Sequence, residues 1–412
     1  MLYGATISYS NVFMKILFIS YTYWPPDFGG ALIRIVQTLE SLAERGHQVT
    51  VLTRGIAPNS TLENSFSINI LRSSFVGNNR LARVLRRIVY SVWVLYYLFT
   101  KDYDIIHLSS LPGINRSSSW FIGYIFSSVA HIRKVQSIFS YTLVDTYNAP
   151  ILIKGLEGFI KLKYLRRLDV IVSISPLIHE AITSLKGTNS VLILNGVRDS
   201  LFTPLNNTER KNNRSALGIN EQTVVFAFLG SVDHRKGFDL LSEAFSELSN
   251  KYNNWYLWVI GPYSHKENQN LSKNAVNTLY SQLKENPRVR FFGRINDRQY
   301  LATILASSDV FVFPSRREGF GNAPVEAMSA GIPVIIARLP GITDLANIHD
   351  VTGLYIDPGN VEQLKKAMRR LGEDAELRQR MGKAARQRVE EAFSWDEYVS
   401  RWEKLYELGE IE

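Results

Sequence analysis

Apolar residues gather in short runs along this chain, and the runs alternate with stretches of longer period. Ile16-Leu17-Phe18-Ile19 comes first and leads into Pro25, Pro26, Gly29 and Gly30. Beyond those glycines Leu32, Ile35, Val36, Leu39, Leu42 and Ala43 recur at helical spacing on one face, until Gly46 stops them. Val49–Leu52 then returns to strand length. Strand, glycine loop, helix, strand is a βαβ unit. The same alternation predicts strands at Ile105–Leu108, Val135–Phe139, Val170–Ile174 and Val191–Leu194. Asn206–Arg214 (NNTERKNNR) interrupts the series: it is polar throughout and reads as a structureless connection between domains. A second series follows, with strands at Val224–Leu229, Tyr256–Ile260, Val289–Phe292, Val310–Phe313, Pro333–Ile336 and Leu354–Ile356. The expected class is α/β: two open, doubly wound, Rossmann-like domains in tandem, residues 1–205 and 206–393, whose strand ends and helix starts face a cleft.

A length of 412 residues agrees with more than one core, and 45% apolar against 21% charged residues excludes a disordered chain. The chain has no cysteine, which excludes disulfides, thiolate metal sites and cysteine nucleophiles and fits a reducing compartment. The first apolar run is only strand length and lacks a basic segment before it, so no secretory leader is expected; Met14-Lys15 would make a natural start, with residues 1–13 as an extension. Charge is placed unevenly. Residues 1–200 hold 20 Lys and Arg against 11 Asp and Glu, while the remainder hold 27 of each, so the whole net charge of +9 lies in the first half. That half is expected to face something anionic. Arg80, Arg83, Arg86 and Arg87 run into Ile88–Phe99, whose only polar groups are Ser91 and three tyrosine hydroxyls. Such a run is too short to span a bilayer, which takes about 20 residues, and has the composition of a helix lying in the interface. It reads equally as a buried helix with arginines at its solvated end. Lys154, Lys161, Lys163, Arg166 and Arg167 form a second basic cluster around Phe159 and Leu162. An anionic membrane surface reached through residues 80–99 and 154–167 is the expected partner; no nucleic-acid recognition module is present.

Two acids stand eight positions apart in REGFGNAPVEAMSAG, Arg317–Gly331. Glu318 follows a strand that ends at Pro314, on a turn containing Gly319 and Gly321. A helix begins beyond it, capped by Asn322 or Ala323 with Pro324 at its first position and closed by Gly331, and it carries Glu326. Bare amides at a helix N-terminus suit a diphosphate, and glycines let backbone approach it closely. Two carboxylates flanking such a site can accept hydrogen bonds from the hydroxyls on either side of a nucleotide sugar's diphosphate. A capping acid plus an ordinary surface glutamate is the bland alternative. Gly230-Ser231-Val232-Asp233-His234-Arg235-Lys236-Gly237 follows the first strand of the second series, and its adjacent cations again suit phosphate.

Taken together, these features resemble glycosyltransferase family 4, the retaining enzymes of the GT-B fold that use nucleotide sugars. Pro26–Ala31 leading to Arg45–Leu52 is similar to the family's opening, and Asp169–Ser175 with Asn195-Gly196-Val197 to the end of its first domain. Val259-Ile260-Gly261, Phe291-Phe292-Gly293 and, most specifically, Glu318–Glu326 as the E-x7-E motif match the second. The resemblance implies that Glu318 binds donor-sugar hydroxyls near the reacting carbon and that Glu326 holds the ribose diol. Lys236 would meet the diphosphate with backbone at Phe320, Gly321, Asn322 and Ala323, beside Gly319. Gly29 and Gly30 would close over the phosphates, and backbone around Arg294 would meet the base. Retention would follow a same-face displacement in which the leaving diphosphate takes the acceptor's proton, with Arg235 and Lys236 stabilising its charge and no metal or other cofactor required. The setting implied is cell-surface polysaccharide assembly on a glycan or lipid-linked acceptor, in the cytoplasm or peripheral on the membrane's cytoplasmic face. The final segment, residues 394–412, has Trp395, Tyr398, Val399, Trp402 and Leu405 on one face and would pack back on the first domain.

The chain departs from the pattern at three places. Ser231 stands where many members carry arginine, a charge the resemblance assigns to Arg235 instead; no histidine follows the strand at Val135–Phe139, leaving Ser140 or Tyr141 in that place or a sugar held differently; and Asp344 replaces a glutamate. Asp102-Tyr103-Asp104 looks like a metal-binding D-x-D, but it precedes a strand where the family commonly shows an aspartate, and the seven histidines form no ligand-spaced cluster. No metal site is expected, and His107 reads as a packed or cleft-lining histidine rather than a ligand. A GT-B epimerase or phosphorylase, or an inactive glycan-binding scaffold, are the alternative functions.

Overall fold

Among the described residues every strand lies parallel to its neighbours, which is why the strands read as near-continuous apolar runs: helices cover parallel sheets on both faces. The structure is a computed structural model and describes residues 13–23, 30–55, 68–73, 79–109, 111, 116–141, 154–263 and 273–409. The chain forms two units, one of Met1–Ile174, Ile178–Ile193 and Val399–Glu412, the other of Ser175–Leu177 and Leu194–Tyr398.

The first unit runs β1 (Lys15–Ile19), α1 (Gly30–Glu44), β2 (Gln48–Arg54), β3 (Ile68–Ser73), α2 (Arg80–Thr100), β4 (Ile105–Leu108), α3 (Arg116–Ile132), β5 (Gln136–Tyr141), α4 (Gly155–Leu165), β6 (Val170–Ser173), α5 (Pro176–Thr183) and β7 (Ser190–Leu192). Its sheet has the order β3-β2-β1-β4-β5-β6-β7. In β1, Ile16, Leu17, Phe18 and Ile19 are all buried, and Ile16 pairs with Val49 on one side and Ile105 on the other. The sequence reading has no strand at β3. That strand lies at the sheet edge and is only half-buried, so INILRS carries a weaker apolar signal.

Burial of α2 is two-sided. Tyr90, Val94 and Leu98 are buried, and the Tyr90 hydroxyl donates to the Leu52 carbonyl at 2.8 Å. Leu81, Leu85, Ile88, Val92, Tyr96 and Phe99, at spacings of three and four, line the opposite side and are exposed. One face of this helix is thus buried, as the buried-helix reading expects, and the opposite face exposes apolar side chains. α2 packs on α3 and α3 on α4, adding exposed Phe121, Ile132, Leu156 and Phe159. The second basic cluster needs one correction: Lys161 is buried, its ammonium over the rings of Trp120 and Tyr141 at 5.2 and 5.3 Å, and is no surface charge. No helix among the described residues is long and apolar enough to cross a membrane.

In the second unit α6 (Asn207–Ala216) lies in the segment expected to be structureless. Its helix is held without an apolar stripe. Asn206 and Glu209 form a reciprocal capping box, and Arg214, fully buried, donates to Asp309 at 3.0 Å and to the carbonyls of Ser307, Asn220 and Thr223. Hydrophobic periodicity cannot report an anchor made of one buried arginine. Then follow β8 (Val224–Leu229), α7 (Phe238–Lys251), β9 (Trp255–Ile260), α8 (Lys273–Lys284), β10 (Val289–Gly293), α9 (Arg298–Ala306), β11 (Val310–Phe313), α10 (Asn322–Ser329), β12 (Val334–Ala337), β13 (Gly353–Ile356), α11 (Val361–Glu373), α12 (Ala375–Ala392) and α13 (Trp395–Leu408). The sheet order is β10-β9-β8-β11-β12-β13. Phe226, Phe228, Phe238, Phe245 and Trp255 centre a core between this sheet and its helices. The later part of α13 belongs to the first unit, where Glu403 takes Arg45 and, at 3.2 Å, His47.

Candidate active site

The order of the second sheet reverses between β8 and β11, and ligands in doubly wound folds bind at the carboxyl ends of strands at such a reversal. Two loops leave those ends: Gly230–Gly237 runs into α7 and Pro314–Gly321 into α10. They are joined backbone to backbone. The Arg316 amide donates to the Arg235 carbonyl at 2.8 Å and the Ser315 hydroxyl to the same oxygen at 3.2 Å. The Arg316 guanidinium donates to the His234 carbonyl at 2.7 Å and, forked, to both oxygens of Asp239 at 2.7 and 2.8 Å. Gly237 makes the junction possible. It has φ of +71°, and a Cβ there would sit 2.0 Å from the Pro314 carbonyl oxygen.

Glu318 lies at the centre of this junction with only 7% exposure. Its Oε1 accepts from Lys236 Nζ at 2.6 Å and from the Ser315 hydroxyl at 2.6 Å, with Arg235 Nη1 3.6 Å away. A buried carboxylate is tolerable because cation and hydroxyl replace its lost hydration. Lys236 is aimed by its own loop: Asp233, fully buried, accepts from the Lys236 amide at 2.8 Å and from the Ser231 hydroxyl. The ammonium also sits 4.9 Å over the Phe313 ring.

The helix beyond Glu318 starts earlier than the sequence suggests. Gly321, in the left-handed region at φ of +93°, is the cap, and Asn322 is the first helical residue rather than the cap. The Asn322 side chain does other work, its Oδ1 accepting from Asn195 Nδ2 at 2.9 Å. Amides of Asn322 and Ala323 thus open the helix, and Pro324 falls two positions inside it. Phe320 is buried, its ring 5.8 Å from that of Phe393, which anchors the turn beside Gly319. Glu326, 6% exposed, is on α10 and accepts from Arg298 Nη2 at 2.6 Å. Arg294 follows β10 and is exposed. Gly30 is the first residue of α1, in the other unit, and Gly29 lies outside the described residues. The structure therefore brings Glu318, Lys236 and Arg235 together at the mouth of α10 and pairs Glu326 separately.

Two family models cover almost the whole chain in order: glycosyltransferase family 4 over residues 28–201 and glycosyl transferases group 1 over residues 209–388. The chain is a family 4, group 1 glycosyltransferase. This glycosyltransferase is 24% identical to an uncharacterized glycosyltransferase of Methanocaldococcus jannaschii, over 96% of this chain and 98% of the relative. It is 28% identical to the capsular polysaccharide biosynthesis glycosyltransferase CapM of Staphylococcus aureus, over 63% of this chain and 68% of that one. Among solved structures it resembles sucrose-phosphate synthase from Thermosynechococcus elongatus, with a TM-score of 0.77 at 22% identity, covering 96% and 98% of the two chains. It also resembles Anabaena HepE in complex with UDP-glucose, with a TM-score of 0.73 at 19% identity, covering 96% and 100%. The fold is GT-B, two Rossmann-like parallel-sheet domains.

Sequence reasoning missed Ser315, Asp233 and Arg298 in this glycosyltransferase. Arg298 had a signal. A cation on the first turn of a helix opposes the dipole and asks for a partner elsewhere. In the first unit His107 is packed: its ring stacks on Trp402 at 5.0 Å, and its nitrogens meet the Tyr406 hydroxyl at 2.8 Å and the Ser140 hydroxyl at 2.7 Å. Ser140, one of two residues expected in place of the family histidine, is thus bonded to His107, while the Tyr141 ring carries Lys161. Asp102 accepts from Arg133 at 2.5 Å and Asp104 from the Lys15 amide at 2.7 Å, so both D-x-D carboxylates bind protein groups. Among the described residues no group of three His, Asp or Glu side chains is placed to hold a metal ion.

Proposed function

We propose that this glycosyltransferase moves a sugar, with retention of configuration, from a nucleotide-diphosphate sugar to a glycan or lipid-linked acceptor in cell-surface polysaccharide assembly. The observation that carries the reading is the Glu318–Lys236 pair, 2.6 Å apart and nearly buried where α10 begins. A diphosphate laid on the amides of Asn322 and Ala323 would draw Lys236 and Arg235 towards its oxygens, and Glu318 would turn its acceptors to the hydroxyls of the transferred sugar. The bond from the anomeric carbon to the phosphate oxygen breaks with its electron pair on the diphosphate. The acceptor oxygen bonds to that carbon from the same face, and its proton passes to the departing phosphate oxygen. This sequence balances without a protein base and routes no step through a metal. Glu326 would accept from the ribose hydroxyls, with Gly319 and Phe320 shaping the turn, Ser231 supporting Lys236 and backbone at Arg294 meeting the base. CapM's name supports the polysaccharide setting, and HepE's complex supports UDP-glucose as a type of donor. The exposed apolar side of α2, among arginines, supports docking on an anionic cytoplasmic membrane surface.

Incubating the protein with a panel of UDP-, GDP- and ADP-sugars tests the reading. One donor should raise the melting temperature and release nucleoside diphosphate slowly without acceptor. Glu318→Ala should abolish the release, and Lys236→Ala should lower it by about two orders of magnitude, the scale on which oxyanion-stabilising groups act. A panel that yields neither stabilisation nor release overturns it.

A further inference from the structure

Arg298 occupies a place where a cation is locally disfavoured. It is the first residue of α9, and Asp297 before it is committed to capping, its Oδ1 accepting from the amides of Gln299 and Tyr300 at 2.9 and 3.1 Å. Arg298 instead reaches α10. Its Nη2 donates to Glu326 Oε1 at 2.6 Å, and its guanidinium lies 5.0 Å over the Phe202 ring. That ring is fully buried and tied to the same helix as Glu326, because the Phe202 carbonyl accepts from the hydroxyl of Ser329 on α10 at 2.8 Å and from Arg386 at 2.9 Å. A planar guanidinium confined between an aromatic face and a carboxylate has little rotational choice, and lysine could not reproduce it fully.

We infer that Arg298 is the positioning residue for the ribose-binding carboxylate. It holds Glu326 in one orientation, and its charge offsets that of a second acid beside the diphosphate. The inference rests on the nucleotide-sugar reading above and adds a consequence to it: selection of ribose over 2′-deoxyribose in the donor passes through Arg298.

Calorimetric titration with UDP, GDP and ADP, each against its 2′-deoxy counterpart, tests this. Wild type should prefer one ribonucleotide over its deoxy form by about tenfold or more, as sites built to bond a hydroxyl do. Arg298→Ala should bring that preference to within about twofold, Arg298→Lys should restore part of it, and adding Glu326→Gln to Arg298→Ala should change it no further. Arg298→Gln serves if the alanine variant fails to fold. An Arg298 variant that binds nucleotide with the wild-type preference overturns the inference, as does a wild type that binds without any preference. If no nucleotide binds at all, the nucleotide-sugar reading fails first.

Discussion

His107 is enclosed on every side by Phe18, Trp402, Tyr406 and Ser140, and burial pushes its pKa down to about 3. The folded protein therefore keeps a neutral imidazole where an unfolded chain would begin to protonate near 6.5. Since the folded value is the lower one, the contribution to stability is complete above 6.5 and is lost as pH falls towards 3, with a slope of at most about 1.4 kcal/mol per unit. Urea unfolding at pH 7 and pH 5 should show this loss in wild type, and His107→Gln should show a smaller difference. An unchanged difference would mean the ring protonates in place. Glu403 adds loss at still lower pH: burial raises its carboxyl, but hydrogen bonds from His47 and Arg45 outweigh that and hold it below 4.5.

Loops and caps decide how the elements meet. Gly237→Ala would place a methyl group against the Pro314 carbonyl and force a left-handed alanine, so it should destabilise by about 2 kcal/mol or more and reduce donor turnover. Gly359→Ala is the control, with φ of +86° but nothing within 4 Å of the added Cβ. It should cost about 1 kcal/mol, the backbone term alone, and leave turnover intact. Equal effects in denaturant unfolding would deny the contact between the two loops any part. At α6, Asn206→Ala should cost about 1 kcal/mol by the same measurement, because it removes the side-chain half of the capping box.

The charge of the whole molecule lies in its first half, and the exposed line from Leu81 to Phe99 on α2 lies there too. Basic residues beside an apolar stripe attract anionic lipid over range and then bury side chains in the interface. Co-sedimentation with phosphatidylcholine vesicles should be weak and should rise when phosphatidylserine is included. Added salt, or Leu85→Ser with Val92→Ser and Phe99→Ser, should reduce it again. Equal recovery with neutral and anionic vesicles at low salt would count against docking.

By itself the chain's order determined most of the architecture. Parallel strands covered on both faces must be apolar throughout, so runs such as Val224–Leu229 and Val310–Phe313 mark strands without reference to anything distant. The glycine turn at Gly319 and Gly321 and the spacing of Glu318 and Glu326 were legible too, because such a turn imposes its requirements locally, although the cap of the helix beyond it fell at Gly321 rather than at Asn322 or Ala323. Sequence could not disclose partners far apart in the chain. Lys236 meets Glu318 across 82 positions, Arg298 meets Glu326 across 28, and Arg214 anchors α6 through Asp309 across 95. Lys161 reads as a surface charge in sequence and is buried in an aromatic setting. These pairings were decided only in the folded molecule, since an ion pair or a buried cation depends on which side chains the sheet brings into reach, and no local pattern carries that information.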